Sequence, residues 1–218
     1  MGPSSCLIFT AGTWCDEKVI KQQLASEPLV LACDGALAMC LERSVVPNAV
    51  IGDMDSVSTE VLERFVELGG EVVHRPNQES NDLAKALEYA THSGCSSCTV
   101  VGATGDDREH EWANLLTCAA STMDITCLGR SHQYRFLCTG RVYSIELIPG
   151  QNFSLFALPV AEGITLKGGK FGLENARLTM GSEGLHNVAV SSELSLTYQE
   201  GRLILLMVHP SSKEEGTT

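Results

Sequence analysis

Up to about Arg130 the chain alternates short apolar runs with segments whose apolar residues recur every three or four positions. The runs CLIFT (6–10), LVLAC (29–33), NAVI (48–51), EVVH (71–74), TVVGA (99–103) and DITCL (124–128) read as strands. Between them, DEKVIKQQLAS, ALAMCLER, STEVLERFVELGG, NDLAKALEYATHSG and HEWANLLTCAAS carry the helical period. STEVLERF opens on Ser58 with a capping-box pattern and closes at Gly69-Gly70. Strands alternating with helices predict an α/β domain over 1–130, a mostly parallel sheet covered by helices.

After Arg130 the texture changes. RFLCTGRVYSIELIPGQNFSLFALPVAEGITLKGG has frequent Gly and Pro, short β-rich runs and no helical period. SSELSLTYQEGRLILLMV reads as a hairpin or strand pair turned at Glu200-Gly201. Residues 131–210 therefore predict an all-β domain of roughly 80 residues, a sandwich by its strand spacing. SSKEEGTT (211–218) reads as a flexible tail.

Charge narrows the partners. With 15 basic residues against 27 acidic ones the formal net charge is -12, which excludes nucleic acid, because phosphate-backbone binding needs a basic face. A phosphate-bearing small molecule stays open, since Mg2+ can bridge an acidic protein and an acidic ligand. No apolar run approaches the about 20 residues that span a bilayer, and MGPSSCLIFTAG lacks a basic leader and long apolar core. Gly2 fails the myristoylation pattern because position 6 is Cys. Nine cysteines, several in apolar strands, predict reduced buried thiols and a cytoplasmic protein. CSSC (95–98) has the spacing of half a zinc site, but no second CxxC answers it, so it reads as a turn.

In an open parallel sheet, ligands bind beyond the carboxyl ends of the strands. Four such ends are polar: Asp34-Gly35, Gly52-Asp53-Met54-Asp55-Ser56, Gln78-Glu79-Ser80-Asn81-Asp82, and Thr104-Gly105 running on to His110. Each alone is ordinary turn and cap chemistry; their coincidence on one edge is the signal. In an extended loop Asp53 and Asp55 point the same way and converge on one ion. Asp82, in a helix first turn, adds a third carboxylate with no local cation, a set suited to Mg2+. The competing reading is that Asp53 and Asp82 cap helices while Asp55 is solvated. GATGDDREHEWAN (102–114) is a glycine-bearing turn entering a helix, where backbone N–H groups can meet phosphate. It matches neither the P-loop nor the dinucleotide fingerprint, and HEWAN is not HExxH. His110 is either a helix-start residue or a ligand contact.

These residues resemble the thiamine pyrophosphokinase family. Its pattern has Asp-Gly after the second strand, a GDxDS loop, a (K/Q)D-x-(T/N)D element, a GAxG-x-R-x-DH helix start and a late serine-containing β element. They correspond to CDGA (33–36), IGDMDS (51–56), NQESND (77–82), VGATGDDREH (101–110) and VSSE (190–193); LKGGKFGLENA (166–176) is similar to the family's TKGLKYPL stretch. The resemblance implies an α/β domain followed by a β-sandwich, and a homodimer with active sites between one subunit's α/β domain and the other's β domain. It implies diphosphate transfer from ATP to the hydroxyl of thiamine, releasing AMP. It assigns Asp53, Asp55 and Asp82 to Mg2+ and catalysis, and Asp34, Gly35, Gly102, Thr104, Gly105, Arg108 and His110 to ATP. Gln78, Ser191, Ser192 and Glu193 fall on the thiamine side.

The sequence departs from the pattern at the phosphate clamp. Asp107 stands where the family has Arg, with Arg108 one place on, and Glu109 replaces the Asp before His110. A carboxylate in place of a guanidinium turns attraction into repulsion unless Arg108 or a metal substitutes. Two alternatives follow: a catalytically impaired nucleotide- or thiamine-binding homologue, and a Mg2+-dependent phosphohydrolase with a DxD nucleophile loop.

Overall fold

The computed structural model describes residues 4–105 and 107–209. The chain divides between Arg130 and Ser131 into two compact units. The first is built from β1 (Ser5–Phe9), α1 (Glu17–Leu24), β2 (Leu29–Cys33), a single 3₁₀ turn (Asp34–Ala36), α2 (Leu37–Glu42), β3 (Ala49–Gly52), α3 (Thr59–Glu67), β4 (Glu71–His74), α4 (Asp82–His92), β5 (Ser97–Val101), α5 (Arg108–Ala120) and β6 (Asp124–Leu128).

Its six strands are all parallel, in the order β4-β3-β2-β1-β5-β6. The central strands are apolar almost throughout because both faces are covered: Leu7, Ile8, Phe9, Leu31, Ala32, Val50, Ile51, Val100 and Val101 are buried. At the edge, β4 is largely exposed. The chain winds outward from β1 to β4, returns beside β1 as β5, and continues to β6. The order therefore reverses between β1 and β5, where such sheets open a ligand crevice.

Local chemistry sets the helix limits. Ser58 caps α3, its side chain accepting from the Val61 N–H at 3.3 Å. The same helix ends where Gly69 N–H bonds Val66 C=O and Gly70 N–H bonds Phe65 C=O, the paired closure of a Schellman motif. Asn81 caps α4, accepting from Ala84 N–H at 3.0 Å. Asp107 caps α5.

The second unit holds antiparallel strands: β7 (His132–Leu137), β8 (Tyr143–Glu146), β9 (Asn152–Lys167), β10 (Leu173–Thr179), β11 (Asn187–Val188), β12 (Glu193–Thr197) and β13 (Glu200–Val208). The 16-residue β9 organises them, pairing with β10, β11, β12 and β13. Its alternating burial places Phe153, Leu155, Ala157, Ile164 and Leu166 in one core with Tyr198 and Leu205. The Tyr198 hydroxyl donates to Leu137 C=O at 2.6 Å.

The hairpin expected at Glu200-Gly201 is not formed. β12 pairs with Thr165–Lys167 of β9 while β13 pairs further along the same strand, from Glu162 to Phe153. Glu200 and Gly201 are already inside β13, and the register shifts just after Gly201. A long strand such as β9 offers successive stretches of one edge to two strands, and turn-type residues then mark a bulge, not a reversal. The tail at 211–218 lies outside the described residues.

Candidate functional site

The crevice at the β1/β5 reversal is framed by backbone. Thr10 N–H bonds Val101 C=O at 2.9 Å, Gly12 N–H bonds Gly102 C=O at 3.0 Å, and Thr13 N–H bonds Thr104 C=O at 2.9 Å. Gly102 has φ +84°, and a Cβ there would stand 2.4 Å from Thr10 O, so only glycine permits this approach. Beside it lies a cavity of about 660 Å³, lined by residues of the first unit alone.

Asp34, at the end of β2, is 2 % exposed. Its Oδ1 accepts from Gly35 N–H at 2.6 Å and its Oδ2 from Met54 N–H at 3.0 Å, tying the β2 end to the β3 end. Gly52 makes room, because a Cβ there would lie 2.8 Å from the Asp34 Cγ. Burial pushes the Asp34 carboxyl up to about 6, with the charge of nearby Asp82 adding to the rise and the Gly35 N–H opposing it.

Asp53 and Asp55 converge, but not through an extended loop. Met54 between them is left-handed at φ +65°, and Asp55 N–H donates to Asp53 Oδ1 at 3.2 Å. The chain thus folds on itself in an Asx-type turn. Gln78 Nε2 donates to Asp53 Oδ2 at 2.5 Å, and the Ser56 hydroxyl donates to Asp55 Oδ1 at 2.9 Å. The Asp55 N–H, followed by Gln78, holds the Asp53 carboxyl below its ordinary range. One oxygen each from Asp34, Asp53 and Asp55 lies within 4.8 Å of the others. Three carboxylate oxygens gathered this way fit a hard, oxygen-preferring cation.

Asp82 is the first residue of α4 and caps nothing; Asn81 does that. The expectation that these carboxylates have no local cation is overturned. Lys85, one turn on, donates from Nζ to Asp82 Oδ1 at 2.9 Å, and its side chain is only 7 % exposed. A helix places residues three apart on one face, and long side chains lean toward the helix N-terminus, which brings this ammonium back to the site. Asn81 Nδ2 also donates to Asn114 Oδ1 at 3.0 Å, and Asn114 Nδ2 donates to Ala103 C=O at 3.1 Å. That chain links the start of α4 to α5 and to the turn after β5.

The glycine turn carries its own anions. Gly105 N–H donates to Glu111 Oε2 at 3.0 Å, and Asp107 Oδ1 accepts from Glu109 N–H and His110 N–H at 2.8 and 3.1 Å. Those two helix-start N–H groups hold the Asp107 carboxyl below its usual range. The charge of Asp107 is thus stabilised locally, and backbone donors expected for phosphate already have carboxylate partners.

The cavity lining includes Asp34, Gly35, Asp53, Asp55, Gln78, Asp82, Gly102, Gly105 and His110. It does not include Thr104, which is buried, or Arg108, the exposed first residue of α5. Ser191, Ser192 and Glu193 belong to the second unit. There Ser191 Oγ donates to Glu193 C=O at 2.5 Å, and Ser144 Oγ donates to the Glu193 carboxylate at 2.7 Å. Sequence reasoning gave Lys85, Asn81 and Glu111 no role of their own. For Lys85 the signal was present: it is a lysine on the buried face of α4, with Leu83, Ala86, Leu87 and Ala90.

An acidic cavity at the strand-order reversal of a parallel sheet defines an α/β protein with a small-ligand site. The family model for the thiamin pyrophosphokinase catalytic domain matches residues 20–127. Over 187 residues the chain is 25% identical to thiamine pyrophosphokinase of Bacillus subtilis, covering 82% of this chain and 86% of that one. It is 33% identical over 95 residues to thiamine pyrophosphokinase 1 of Arabidopsis thaliana, covering 40% of this chain and 35% of the relative. The fold matches the crystal structure of the Bacillus subtilis enzyme with a TM-score of 0.76 at 20% identity, over 94% of this chain and 99% of that one. The chain belongs to the thiamine pyrophosphokinase family.

Proposed function

We propose that this chain transfers the diphosphate of ATP to the hydroxyl of thiamine, giving thiamine diphosphate and AMP. The observation that carries the reading is the Asp34–Asp53–Asp55 cluster in the crevice at the β1/β5 reversal of a chain of this family. Asp53 and Asp55 would hold Mg2+, with Asp34 closing the same cluster and Asp82 facing it. Bound there, the ion supplies charge neutralisation and polarises phosphate oxygens. In the transfer the thiamine oxygen bonds to the β-phosphorus, the bond to the α-phosphate oxygen breaks, and its electron pair leaves with AMP. The alcohol proton passes to solvent or a carboxylate.

The chain's own groups position and orient. Gln78 holds Asp53 and sets one wall of the cavity, while Asn81 and Asn114 fix the turn after β5. Asp34, Gly35, Gly102, Thr104, Gly105, Arg108 and His110 are assigned to the nucleotide side by the resemblance, Thr104 and Arg108 lying outside the cavity lining. Gln78 and the Ser191-Ser192-Glu193 segment are assigned to thiamine. The antiparallel strands around β9 support a β-sandwich for 131–210, and the family resemblance supports a homodimer. Nine thiols, none in a disulfide, support a reducing compartment such as the cytoplasm. No helix among the described residues is long and apolar enough to cross a membrane.

The test is liquid chromatography of products from purified protein with ATP, Mg2+ and thiamine, beside Asp53→Ala. Thiamine diphosphate and AMP in equal amounts, lost in the variant, is the expected result. ADP or free phosphate instead would sink the diphosphate transfer. One observation favours a second reading, a nucleotide-binding homologue with impaired turnover: Asp107 and Glu111 already engage the backbone donors of the glycine turn. Mg2+-dependent ATP binding without product would establish that reading.

A further inference from the structure

Among the described residues six acidic side chains line the cavity: Asp34, Asp53, Asp55, Asp82, Asp107 and Glu111. The lining among the described residues contains one lysine, Lys85, and one histidine, His110, and no arginine. A polyphosphate entering it brings several more negative charges, so the placement of every cation matters. The Lys85 side chain is 7 % exposed, yet it reaches the cavity. An ammonium has three donor positions. Among the described residues Asp82 is its one hydrogen-bond partner, at 2.9 Å, which leaves two donor positions for a ligand.

A buried ammonium with a single carboxylate partner is under-satisfied, and burial makes that costly unless another anion completes it. The helix supplies direction: Lys85 leans toward the N-terminus of α4, where Asn81 and Asp82 face the cavity. Resting on the diphosphate-transfer reading above, we propose that Lys85 is a catalytic residue that donates to a non-bridging oxygen of the transferred diphosphate. It moves no proton and forms no bond; it opposes the charge that gathers on the phosphoryl oxygens as the bond to the α-phosphate oxygen breaks. Asp82 is then the group that fixes the ammonium in place.

The opposing account makes Lys85 an ion-pair strut for α4. The two accounts separate through metal binding. Removing a cation beside carboxylates leaves attraction for a divalent ion undiminished, whereas collapse of a strut disorders the carboxylates and weakens metal binding with everything else. Lys85→Met removes the charge; Lys85→Gln removes it while keeping a donor for Asp82; Lys85→Arg keeps it. Three readouts serve: Mn2+ binding without nucleotide by electron paramagnetic resonance, ATP binding with Mg2+ by equilibrium dialysis, and product formation.

We expect kcat/KM to fall by about 100-fold or more in the Met and Gln variants and by under about 10-fold in the Arg variant. ATP binding should weaken by about 10-fold, and Mn2+ should bind at least as tightly as in the parent. If Lys85→Met fails to fold, the Gln variant carries the same test. Parent-like ATP binding and turnover in a neutral variant would overturn the proposal, as would loss of Mn2+ binding alongside ATP binding. A parent protein that binds ATP but makes no thiamine diphosphate would refute the transfer reading, not the lysine contact. The dialysis arm then decides the contact by itself.

Discussion

Asp34 shows how one side chain is tuned by what surrounds it. Two backbone N–H groups hold its oxygens, yet burial and Asp82 raise its carboxyl to about 6. A carboxyl raised on folding contributes stability that is complete below its unfolded value near 4 and is lost as pH rises through about 6. The metal-free protein should therefore melt at lower temperature at pH 7 than at pH 5, and saturating Mg2+ should reverse that drop. Scanning calorimetry with chelator and with Mg2+ checks it; a metal-free melting temperature that climbs from pH 5 to 7 would contradict the assignment. Asp34→Asn should remove the dependence at the cost of one backbone hydrogen bond.

Elements here end on specific side chains, and two caps of the same kind do different jobs. Ser58 makes one exposed bond at 3.3 Å to Val61 N–H, so Ser58→Ala should cost about 1 kcal/mol with turnover unchanged within twofold. Asn81 bonds Ala84 N–H and also Asn114, which in turn holds Ala103 C=O. Asn81→Ala should cost about 2 kcal/mol, a cap plus a partly buried partner left short, and should lower kcat/KM. Urea unfolding of both variants beside product assays separates the two roles. Equal activity in both would show that the Asn81–Asn114 link does not shape the site.

At the scale of the whole molecule, the nine cysteines report on integrity. Eight are buried and Cys138 is half-buried, and none is in a disulfide. Burial pushes the Cys40 thiol up to about 12 and raises Cys33 and Cys98 well above the ordinary range, so the reactive thiolate is scarce there at pH 8. A thiol reagent such as Ellman's should modify Cys138 first in native protein. The other eight should react only at the rate of unfolding and count fully in denaturant. Rapid native modification of several would mean that the first unit opens locally. Six of the cysteines, Cys6, Cys33, Cys40, Cys98, Cys118 and Cys127, fill core positions on strands and helices of the first unit, while Cys15, Cys95 and Cys138 lie between elements.

The sequence by itself determined the alternation that makes the first unit. β2 and β6 coincide with the apolar runs LVLAC and DITCL, because a buried parallel strand is a short apolar stretch between turn residues, and the exposed edge strand β4 coincides with EVVH. It also determined where chemistry could sit, since Asp34, Asp53 and Asp55 stand at strand ends and Asp82 at the helix start that follows β4. Tertiary structure alone decided the groupings. Asp34 joins Asp53 and Asp55 because β2 and β3 are neighbours and Gly52 leaves space, a contact that no local pattern encodes. Lys85 reaches Asp82 by helix spacing alone, but packing decides that its ammonium is buried beside the cavity. Glu200-Gly201 is a bulge and not a turn because β9 is long enough to hold β12 and β13 in succession. Periodicity reports which face of an element is buried; which elements meet is set by packing between residues far apart in the chain.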